Sequence, residues 1–332
     1  MRILVCSIPF APSIGGLETI SELLVSRFHS AGHEVRLVTQ TPSKLPDTAG
    51  YQIIRRPPAR ALLQQVRWAE VVLHNNISLR FAWPLLITRR PWVIAHHMWS
   101  PHTGVGRLKH LATRFATNIA VSNAMARTLV VPATIVPNAY ADDMFVTYPN
   151  VRRARDLVFL GRLVPSKGVP VILEALAALR SQGEIRKLTI IGGGPEEATL
   201  RERVQALRLD GQVFFAGFKQ GRELVDLLNE HRIMIAPSVD DEPFGIVALE
   251  AMACGLIPIV ADSGGLPDAI GACGLVVPKS DSQALAAAIL RLNDEVLAAR
   301  LRAQAKPHLE AHSRDKIARA YLQVLNASCA KK

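Results

Sequence analysis

The sequence predicts an α/β protein made of two domains, each with a parallel sheet covered by helices. Its 332 residues correspond to about two domains of ordinary size. An apolar content of 49% is enough to fill two buried cores. Short apolar runs alternate with helical stretches in both halves of the chain, which is typical of βαβ units and a parallel sheet.

In the first half, Arg2–Ile8 is a nearly continuous apolar run, as expected of a strand buried on both faces. Leu17–Ser30 carries an apolar stripe at helical spacing and ends at Gly32, so it predicts a helix. The further predicted elements of this half are the strands Glu34–Gln40, Val71–His74, Trp92–His96, Thr117–Val121 and Thr134–Val136, with helices at Arg107–Phe115 and Asn123–Val130.

The alternation stops at Asn138–Asp156, which contains Pro149, Asn150 and three arginines and predicts an interdomain linker. We therefore expect domains at residues 1–150 and 151–312, with a last helix in 313–332. The second domain's predicted elements are the strands Leu157–Leu160, Lys187–Ile191, Val213–Ala216 and Gly274–Val277, and the helices Val169–Ser181, Glu196–Leu209, Arg222–Glu230, Ser282–Leu292 and Glu295–Ala305.

The net charge of +11 is concentrated in the first half, where residues 1–156 hold 18 Lys and Arg against 8 Asp and Glu. All four tryptophans also lie there. Basic segments and interfacial aromatic residues both favour an anionic membrane surface, which is one interpretation. A solvated basic face with tryptophans in the core is the other. A nucleic-acid partner is not expected, because no recognised motif for one is present.

The four cysteines show no close pairing and no C-x-x-C, which favours a reducing, cytoplasmic setting. Contact with the inner face of the membrane would make the protein peripheral. The apolar N-terminal run could be a signal peptide, but the prolines and glycines after it fit a first strand and its loop better. No run of about 18 apolar residues predicts a membrane span.

The stretch from Arg232 to Gly265 contains two glutamates, Glu242 and Glu250, around a Pro-Phe-Gly turn. Its apolar pattern predicts strand, loop, helix, strand and a glycine-rich loop. In open parallel sheets, ligands bind at the carboxyl ends of the strands. We therefore expect both carboxylates to face one pocket.

A second candidate site is the segment GRLVPSKG, in which Gly161 and Arg162 end a strand and Lys167 precedes a helix. A guanidinium and an ammonium beside a helix N-terminus form a site for a diphosphate. Two carboxylates alone would also fit glycoside hydrolysis, but these cations favour a nucleotide donor.

Other candidates are less decisive. Gly15 and Gly16 could approach a phosphate or form a plain turn, and the Gly192–Gly194 run lacks the G-x-G-x-x-G spacing.

His97 ends a strand and could bond a sugar hydroxyl or move a proton, whereas the role of His96 stays open. On the acceptor side we place Asn75, Asn76, His96 and Asn138. Asp240 and Asp241 favour a solvated acidic loop, so no metal site is predicted.

Several segments together resemble the retaining glycosyltransferases of family 4. They are GGLE, AVSNAM and IVPNAYADDMF in the first half, then GRLVPSKG, LTIIGGGPE, FFAGF, EPFGIVALEAMACG and SGGLPDAIG in the second. The resemblance covers most of the chain and implies the GT-B fold, two facing Rossmann-like domains with a cleft between them. It also implies that the last helix crosses back to the first domain.

The resemblance implies a donor site for a nucleotide-diphosphate sugar. Arg162 and Lys167 would bind the diphosphate beside Gly161, with Gly16 near the phosphates, and Glu250 would bind the ribose. Glu242 and the backbone of Pro243, Phe244, Gly245 and Ile246 would hold the sugar and phosphates. His97 would lie near the reacting sugar. The implied catalytic set is His97, Arg162, Lys167 and Glu242, with no metal and no other cofactor.

The sequence departs from the family pattern at Asn138–Ala139, where the family has Asn-Gly, and at the doubled His96–His97. Both departures fall on the acceptor side. The donor residues follow the family pattern, so the resemblance still implies a metal-independent hexosyltransferase. Its acceptor would be a hydroxyl of a surface polysaccharide, a glycolipid or a small metabolite. The alternatives are a nucleotide-sugar epimerase on the same fold and a membrane-associated nucleotide-sugar-binding protein with a degenerate site.

Overall fold

The computed structural model describes residues 1–13, 15–44, 46–47, 49–101 and 103–330. The chain divides into two compact units. The first contains Met1–Ala139 together with the chain from Arg314 onward, and the second is Tyr140–Ser313. Each unit holds one fully parallel sheet with helices between its strands, so the predicted fold class is confirmed.

The first unit has a seven-stranded sheet in the order β3-β2-β1-β4-β5-β6-β7. The strands are β1 Arg2–Cys6, β2 Glu34–Thr39, β3 Gln52–Arg55, β4 Val71–Asn75, β5 Trp92–His96, β6 Thr117–Ala120 and β7 Ala133–Ile135. The helices between them are α1 Gly16–Ser30, α2 Ala59–Trp68, α3 Leu79–Thr88, α4 Val105–Thr113 and α5 Asn123–Arg127.

The second unit has a six-stranded sheet in the order β10-β9-β8-β11-β12-β13. The strands are β8 Arg155–Leu160, β9 Leu188–Ile191, β10 Val213–Gly217, β11 His231–Ala236, β12 Ile257–Ala261 and β13 Leu275–Val277. The helices are α6 Val169–Ser181, α7 Glu197–Ala206, α8 Gly221–Asn229, α9 Ile246–Ala253, α10 Leu266–Ile270, α11 Ser282–Arg291 and α12 Glu295–Ala311, and a short 3-10 helix covers Pro165–Lys167.

The central strands are apolar because helices cover both faces of each sheet. Every residue of β4, β5 and β12 is buried. In both sheets the chain starts in the middle, runs to one edge, and then crosses to the other side. The crossing points lie between β1 and β4 and between β8 and β11. Such reversal points leave a crevice at the carboxyl ends of the two strands, where ligands bind in this fold class.

The last helix, α13 Arg314–Ala330, belongs to the first unit, and residues 331–332 lie outside the described ranges. It packs on α1, β4 and β5 through one face that buries Ile317, Tyr321 and Leu325. An ion pair of 3.1 Å between Arg27 and Asp315 joins it to α1. Burial of this apolar face stabilises the helix on the first sheet.

The structure divides the chain earlier than residue 150, the boundary expected from the sequence. Residues 140–150 group with the second unit because polar contacts attach them to it. The Thr147 hydroxyl donates to the Ala253 carbonyl at 2.8 Å, and the Tyr148 amide donates to Asn229 Oδ1 at 2.7 Å. Proline and arginine content alone did not reveal these contacts.

Two elements also differ from the sequence analysis. The strand β3 was not predicted, and it is a short strand with no fully buried residue at the edge of its sheet. The helix α12 continues through Pro307 to Ala311, although it was expected to end at residue 305. Proline removes one helical hydrogen bond, and packing of the following turn, with Leu309 buried, offsets that loss.

Candidate functional site

The loops after β8 and β11 meet at the crossing point of the second sheet. Lys167 ends the 3-10 helix after β8, and Glu242 lies in the loop after β11. A backbone hydrogen bond of 3.0 Å from the Val239 amide to the Ser166 carbonyl ties the two loops together. The strand order therefore brings a cation and an anion to the edge of the sheet where ligands are expected.

Lys167 and Glu242 form an ion pair, with 2.5 Å between Nζ and Oε1. Ser238 donates its hydroxyl to the same carboxylate oxygen. The two charged side chains are only 25% and 18% exposed, so water screens the pair weakly. Ser238 was not singled out from the sequence, because a serine in the loop after a strand has no distinctive pattern.

Arg162 lies on the same loop as Lys167 and is exposed. None of the described residues is seen to hydrogen-bond its guanidinium. Gly161 is held in place by its amide, which donates to the Ile191 carbonyl at 3.0 Å. The result is one cation paired with Glu242 and a second that is open to solvent. Guanidinium and ammonium groups placed in this way can bind phosphate oxygens.

Glycines allow the loops around Arg162 and Lys167 to approach each other closely. A Cβ on Gly168, whose φ is +68°, would lie 2.1 Å from the Pro237 carbonyl oxygen. A Cβ on Gly192 would lie 1.9 Å from the Gly161 oxygen. The Gly192–Gly194 run, left open by the sequence analysis, thus has a packing role against the loop of Gly161.

The N-terminal end of α9 follows directly after Glu242. Pro243 has no amide hydrogen, whereas Phe244, Gly245 and Ile246 carry amides that precede or open the first helical turn. First-turn amides have no carbonyl partner within the helix and form an anion site together with the helix dipole. The Phe244 side chain is buried and stacks on His312, with 5.9 Å between ring centroids. Phe244 can therefore offer its backbone to a ligand, but not its ring.

The glycine-rich loop after β12 holds the backbone of Glu242. The Gly265 amide donates to the Glu242 carbonyl at 2.7 Å. Gly264 has φ +57°, and a Cβ there would lie 2.2 Å from the same oxygen. Contacts from two loops and from the Ser238 hydroxyl thus determine the position of Glu242.

Glu250 lies in the second turn of α9, and it is largely surrounded by protein. Burial raises the pKa of its carboxyl to about 7. None of the side chains in the described ranges hydrogen-bonds its carboxylate. A carboxyl with a raised pKa and spare acceptor oxygens is suited to accept hydrogen bonds from ligand hydroxyls.

In the first unit, the crossing point between β1 and β4 is closed by a polar network. The Asn75 amide nitrogen donates to the Ser21 hydroxyl at 2.6 Å, and Ser21 donates to Leu17 and lies 2.8 Å from the Ser7 hydroxyl. Asn75 is fully buried, so it fixes α1 on the sheet. Gly16 is exposed as the first residue of α1.

His96 has a structural partner that the sequence did not reveal. The Asn118 amide nitrogen donates to the carbonyls of Thr113 and Ala116, which leaves its Oδ1 to accept from His96 Nε2 at 2.9 Å. Burial lowers the pKa of His96, and the bond to Asn118 opposes this shift. The neutral imidazole thus belongs to a buried network in β5 and β6.

His97 is buried beside the last helix. The Tyr321 hydroxyl lies 3.4 Å from His97 Nε2. The pKa of His97 is lowered to about 3, chiefly by burial and also by the neighbouring His96, while the Asn138 side chain acts in the opposite direction. His97 is therefore neutral near pH 7 and serves as a hydrogen-bonding group. Tyr321, which is 224 residues away, was not predicted from the sequence.

Asn76 and Asn138 each keep a buried side-chain oxygen for which the described residues provide no hydrogen-bond partner. Asn76 also has a positive φ of 67°, which asparagine tolerates better than most residues. Their assignment to the acceptor side stays a prediction.

The acidic loop near Glu242 is occupied by protein contacts. Asp241 pairs with Lys279, and the Asp240 carbonyl accepts from the Ser263 hydroxyl at 2.6 Å. Within the described ranges, no group of three or more His, Cys, Asp or Glu residues is arranged to hold a metal ion.

Residues 145–308, nearly the whole second unit, match the family model for glycosyl transferases group 1. The match covers just under half of the chain. It covers Arg162, Lys167, Glu242 and Glu250, the four charged residues of the second unit's crevice. The group 1 segment thus coincides with the part of the chain that carries this site.

Known proteins are similar over different lengths. The amylovoran biosynthesis glycosyltransferase AmsK of Erwinia amylovora is 35% identical over 46% of this chain and 40% of its own length. The chain thus spans about two-fifths of that relative. A GDP-mannose-dependent alpha-(1-6)-phosphatidylinositol dimannoside mannosyltransferase of Mycobacterium tuberculosis is 26% identical over 88% of both chains.

Solved structures share the fold over nearly the full length. A glycosyltransferase from Rickettsia africae superposes with a TM-score of 0.82 at 16% identity, covering 100% of this chain and 99% of its own. Anabaena Alr3699/HepE, solved in complex with UDP, gives 0.80 at 20% identity, covering 98% and 100%. These likenesses confirm the two-domain GT-B fold.

Proposed function

We propose that the protein is a retaining glycosyltransferase of family 4 that moves a hexose from a nucleotide-diphosphate sugar to a hydroxyl acceptor without a divalent metal. One observation carries the proposal. Lys167 and Glu242 meet at the crossing point of the second sheet, beside Arg162 and the start of α9. The names of two relatives, an amylovoran biosynthesis glycosyltransferase and a GDP-mannose-dependent mannosyltransferase, support it.

The donor's diphosphate binds to Arg162, Lys167 and the first amides of α9. Fixed positive groups aimed at a leaving diphosphate stabilise the negative charge that develops there, and removal of one such group typically costs about 100-fold or more in rate. Glu250 accepts hydrogen bonds from the ribose hydroxyls, and Glu242 holds the sugar. These cations supply the charge that a metal supplies in other transferases.

In the transfer step, the bond between the anomeric carbon and the diphosphate oxygen breaks. A bond forms between that carbon and the acceptor oxygen on the same face of the sugar. The acceptor's proton moves to the departing diphosphate oxygen. His97, as a neutral imidazole, orients a hydroxyl of the sugar. We place this activity in the cytoplasm, where nucleotide sugars are available and thiols stay reduced.

The nucleotide base is identified first, by a thermal-shift panel of UDP, GDP, ADP and their common sugar conjugates in chelator. A ligand that binds only the folded state raises the melting temperature. The HepE complex with UDP and the GDP-mannose-dependent relative make UDP and GDP the first two series to test. A shift with one series fixes the base, and no shift with any of them contradicts the proposal.

Turnover of that donor is then measured for Arg162→Ala and Lys167→Ala, with Arg222→Ala as the control for loss of an exposed cation. We expect a loss of about 100-fold or more in the first two variants at an unchanged melting temperature, and an unchanged rate in the control. Wild-type turnover that requires added magnesium would overturn the metal-independent mechanism. Full turnover in both site variants would overturn the donor site itself.

A further inference from the structure

A long segment of the first unit contains no negative side chain. Residues 71–141 include seven Lys and Arg but no Asp or Glu. The segment includes α3, α4 and α5, so its charge lies on several helices. A one-sided charge over this length attracts anionic surfaces.

Within this segment, α4 exposes apolar side chains instead of burying them. Its inward face uses small residues, Gly106 and Thr113. A Cβ on Gly106 would lie 1.7 Å from the Pro101 carbonyl oxygen, which shows how closely the first turn of α4 approaches the loop before it. The outward residues Leu108 and Leu111 are 57% and 51% exposed. An amphipathic helix would normally bury these leucines.

The exposed apolar surface extends beyond α4. Phe115 is 67% exposed, and Val105 and Val130 are also exposed. One groove of about 700 Å³ contains Leu108, Leu111 and Val130, and a second of about 570 Å³ contains Phe115. Arg114 lines both grooves, so they form one surface. We call it the basic apolar face, defined by Val105, Arg107, Leu108, Leu111, Arg114 and Phe115.

The cations of the basic apolar face have no anionic partner in the part of the chain that the structure describes. Neither Arg107 nor Arg114 forms an ion pair with any described residue. Lys109 on the same helix and Arg89, which lines a groove together with Arg114, form none with described residues either. Several cations elsewhere are paired, as Arg55 is with Asp47 at 2.7 Å. Unpaired cations around exposed leucines and a phenylalanine complement anionic headgroups above an acyl layer.

Three of the four tryptophans, by contrast, do not contribute to this face as the sequence suggested. Trp92 is buried in the core, and Trp68 and Trp83 are partly buried against it. Arg36 also covers the Trp68 ring at 3.8 Å. The exposed aromatic group of this face is Phe115, which follows the C-terminal end of α4.

We propose that the basic apolar face binds an anionic lipid bilayer, with α4 lying in the plane of the interface. Leu108, Leu111 and Phe115 enter the headgroup region, and Arg107 and Arg114 contact lipid phosphates. No helix in the described ranges is long and apolar enough to cross a bilayer, so this contact is peripheral. A bilayer is favoured over a protein partner because apolar and cationic groups cover the whole face and no acidic group interrupts it.

The test is sedimentation of the full-length protein with vesicles of phosphatidylcholine alone or with one-third phosphatidylglycerol. We expect binding to the mixed vesicles at low salt, weaker binding at high salt, and little binding to phosphatidylcholine. Arg107→Gln/Arg114→Gln should lower the partition coefficient on mixed vesicles roughly 30-fold, at about 1 kcal/mol for each cation. Leu108→Ser/Leu111→Ser should lower it at least about tenfold.

Matched variants control for the loss of charge or of exposed apolar side chains at other places on the surface. Arg60→Gln/Arg222→Gln removes the same charge from exposed positions elsewhere. Ile185→Ser/Val296→Ser removes two apolar side chains that are 66% and 81% exposed. Both should bind mixed vesicles like the wild type. Circular dichroism and melting temperature verify that every variant is folded.

Three outcomes would overturn the proposal. The first is absence of wild-type sedimentation with mixed vesicles at low salt. The second is an equal loss of vesicle binding in the variants of the basic apolar face and in the control variants. The third is concentration-dependent self-association of a wild-type protein that does not bind vesicles, if variants of the basic apolar face abolish it. That result would assign the face to a second copy of the chain. The assay needs no donor sugar, so its result is independent of the proposed transferase activity.

Discussion

Lys167 and Glu242 are 75 residues apart in the sequence and 2.5 Å apart in the structure. The ammonium is thereby neutralised by a carboxylate at the place proposed for a diphosphate. Binding of a donor must compete with Glu242 for Lys167 or share the ammonium with it. The pair thus links recognition of the phosphates to the position of the carboxylate that is proposed to hold the sugar.

Glu242→Gln is expected to strengthen binding of the free nucleoside diphosphate by about tenfold at low salt, because Lys167 loses its competing carboxylate. Sugar transfer should fall by about 100-fold, since the group that holds the sugar is changed. Titration calorimetry and turnover measure the two effects. Asp241→Asn removes the same charge one residue away, from a partner of Lys279, and should change neither. Weaker nucleotide binding in Glu242→Gln would contradict the competition.

Gly264→Ala should displace Glu242. The alanine Cβ would lie 2.2 Å from the Glu242 carbonyl oxygen, and the φ of Gly264 is +57°. Gly211→Ala is the control, because φ is +76° there but the space for a Cβ is open. We expect a loss of unfolding free energy of about 1 kcal/mol in the control and more in Gly264→Ala. Donor binding should be lost only in Gly264→Ala. Equal nucleotide affinity in the two variants would show that the close approach does not position Glu242.

Glu250 should make stability depend on pH. Its pKa is about 7 in the folded protein and 4.5 ordinarily, so ionisation of the buried carboxyl opposes folding. The stability that the protonated carboxyl contributes is present below pH 4.5 and is lost as pH rises through 7. Glu250→Gln should therefore gain roughly 1–3 kcal/mol relative to wild type between pH 4.5 and 8.5. Denaturant unfolding at both pH values measures this difference, and parallel curves would refute the raised pKa.

His74 should show the opposite dependence. It is fully buried, neither ring nitrogen has a hydrogen-bond partner among the described residues, and burial lowers its pKa from 6.5 to about 3. Its contribution to stability is present above pH 6.5 and is lost as pH falls towards 3, because only the unfolded chain takes up the proton. His74→Leu should therefore gain about 2 kcal/mol relative to wild type between pH 8 and pH 5.

Urea unfolding at pH 8 and pH 5 measures the effect of His74→Leu. His29→Leu replaces an exposed histidine and reports what the same substitution does at the surface. A gain for His74→Leu that is the same at both pH values would assign the effect to packing against Trp92, whose ring centroid lies 5.2 Å from that of His74.

Much of the fold could be predicted because its signals are local. Val169–Ser181 and Trp92–His96 were predicted with the bounds that the structure shows, since each has a clear apolar pattern between turn residues. The edge strand β3 was missed because a short, half-buried strand carries little apolar pattern. The end of α12 was placed too early because Pro307 is tolerated when the turn after it packs.

The candidate site could be predicted as a set of residues but not as a set of contacts. Lys167 and Glu242 were recognised from their positions after strands, whereas Ser238 was not, because a serine in a polar loop carries no distinctive pattern. Asn75 was assigned to an acceptor, and in the structure its amide nitrogen bonds Ser21 on α1. A strand-end asparagine has the same sequence pattern in either role.

The two-sheet architecture and the charged loops could be predicted without a structure, because apolar periodicity and turn residues act over a few positions. Which charges meet depends on contacts between distant parts of the chain. Strand order places the loops after β8 and β11 side by side and so joins Lys167 to Glu242, and the packing of α13 brings Tyr321 to His97. Exposure of Leu108 and Phe115 also depends on how α4 packs, because the same amphipathic pattern would serve a buried helix equally well.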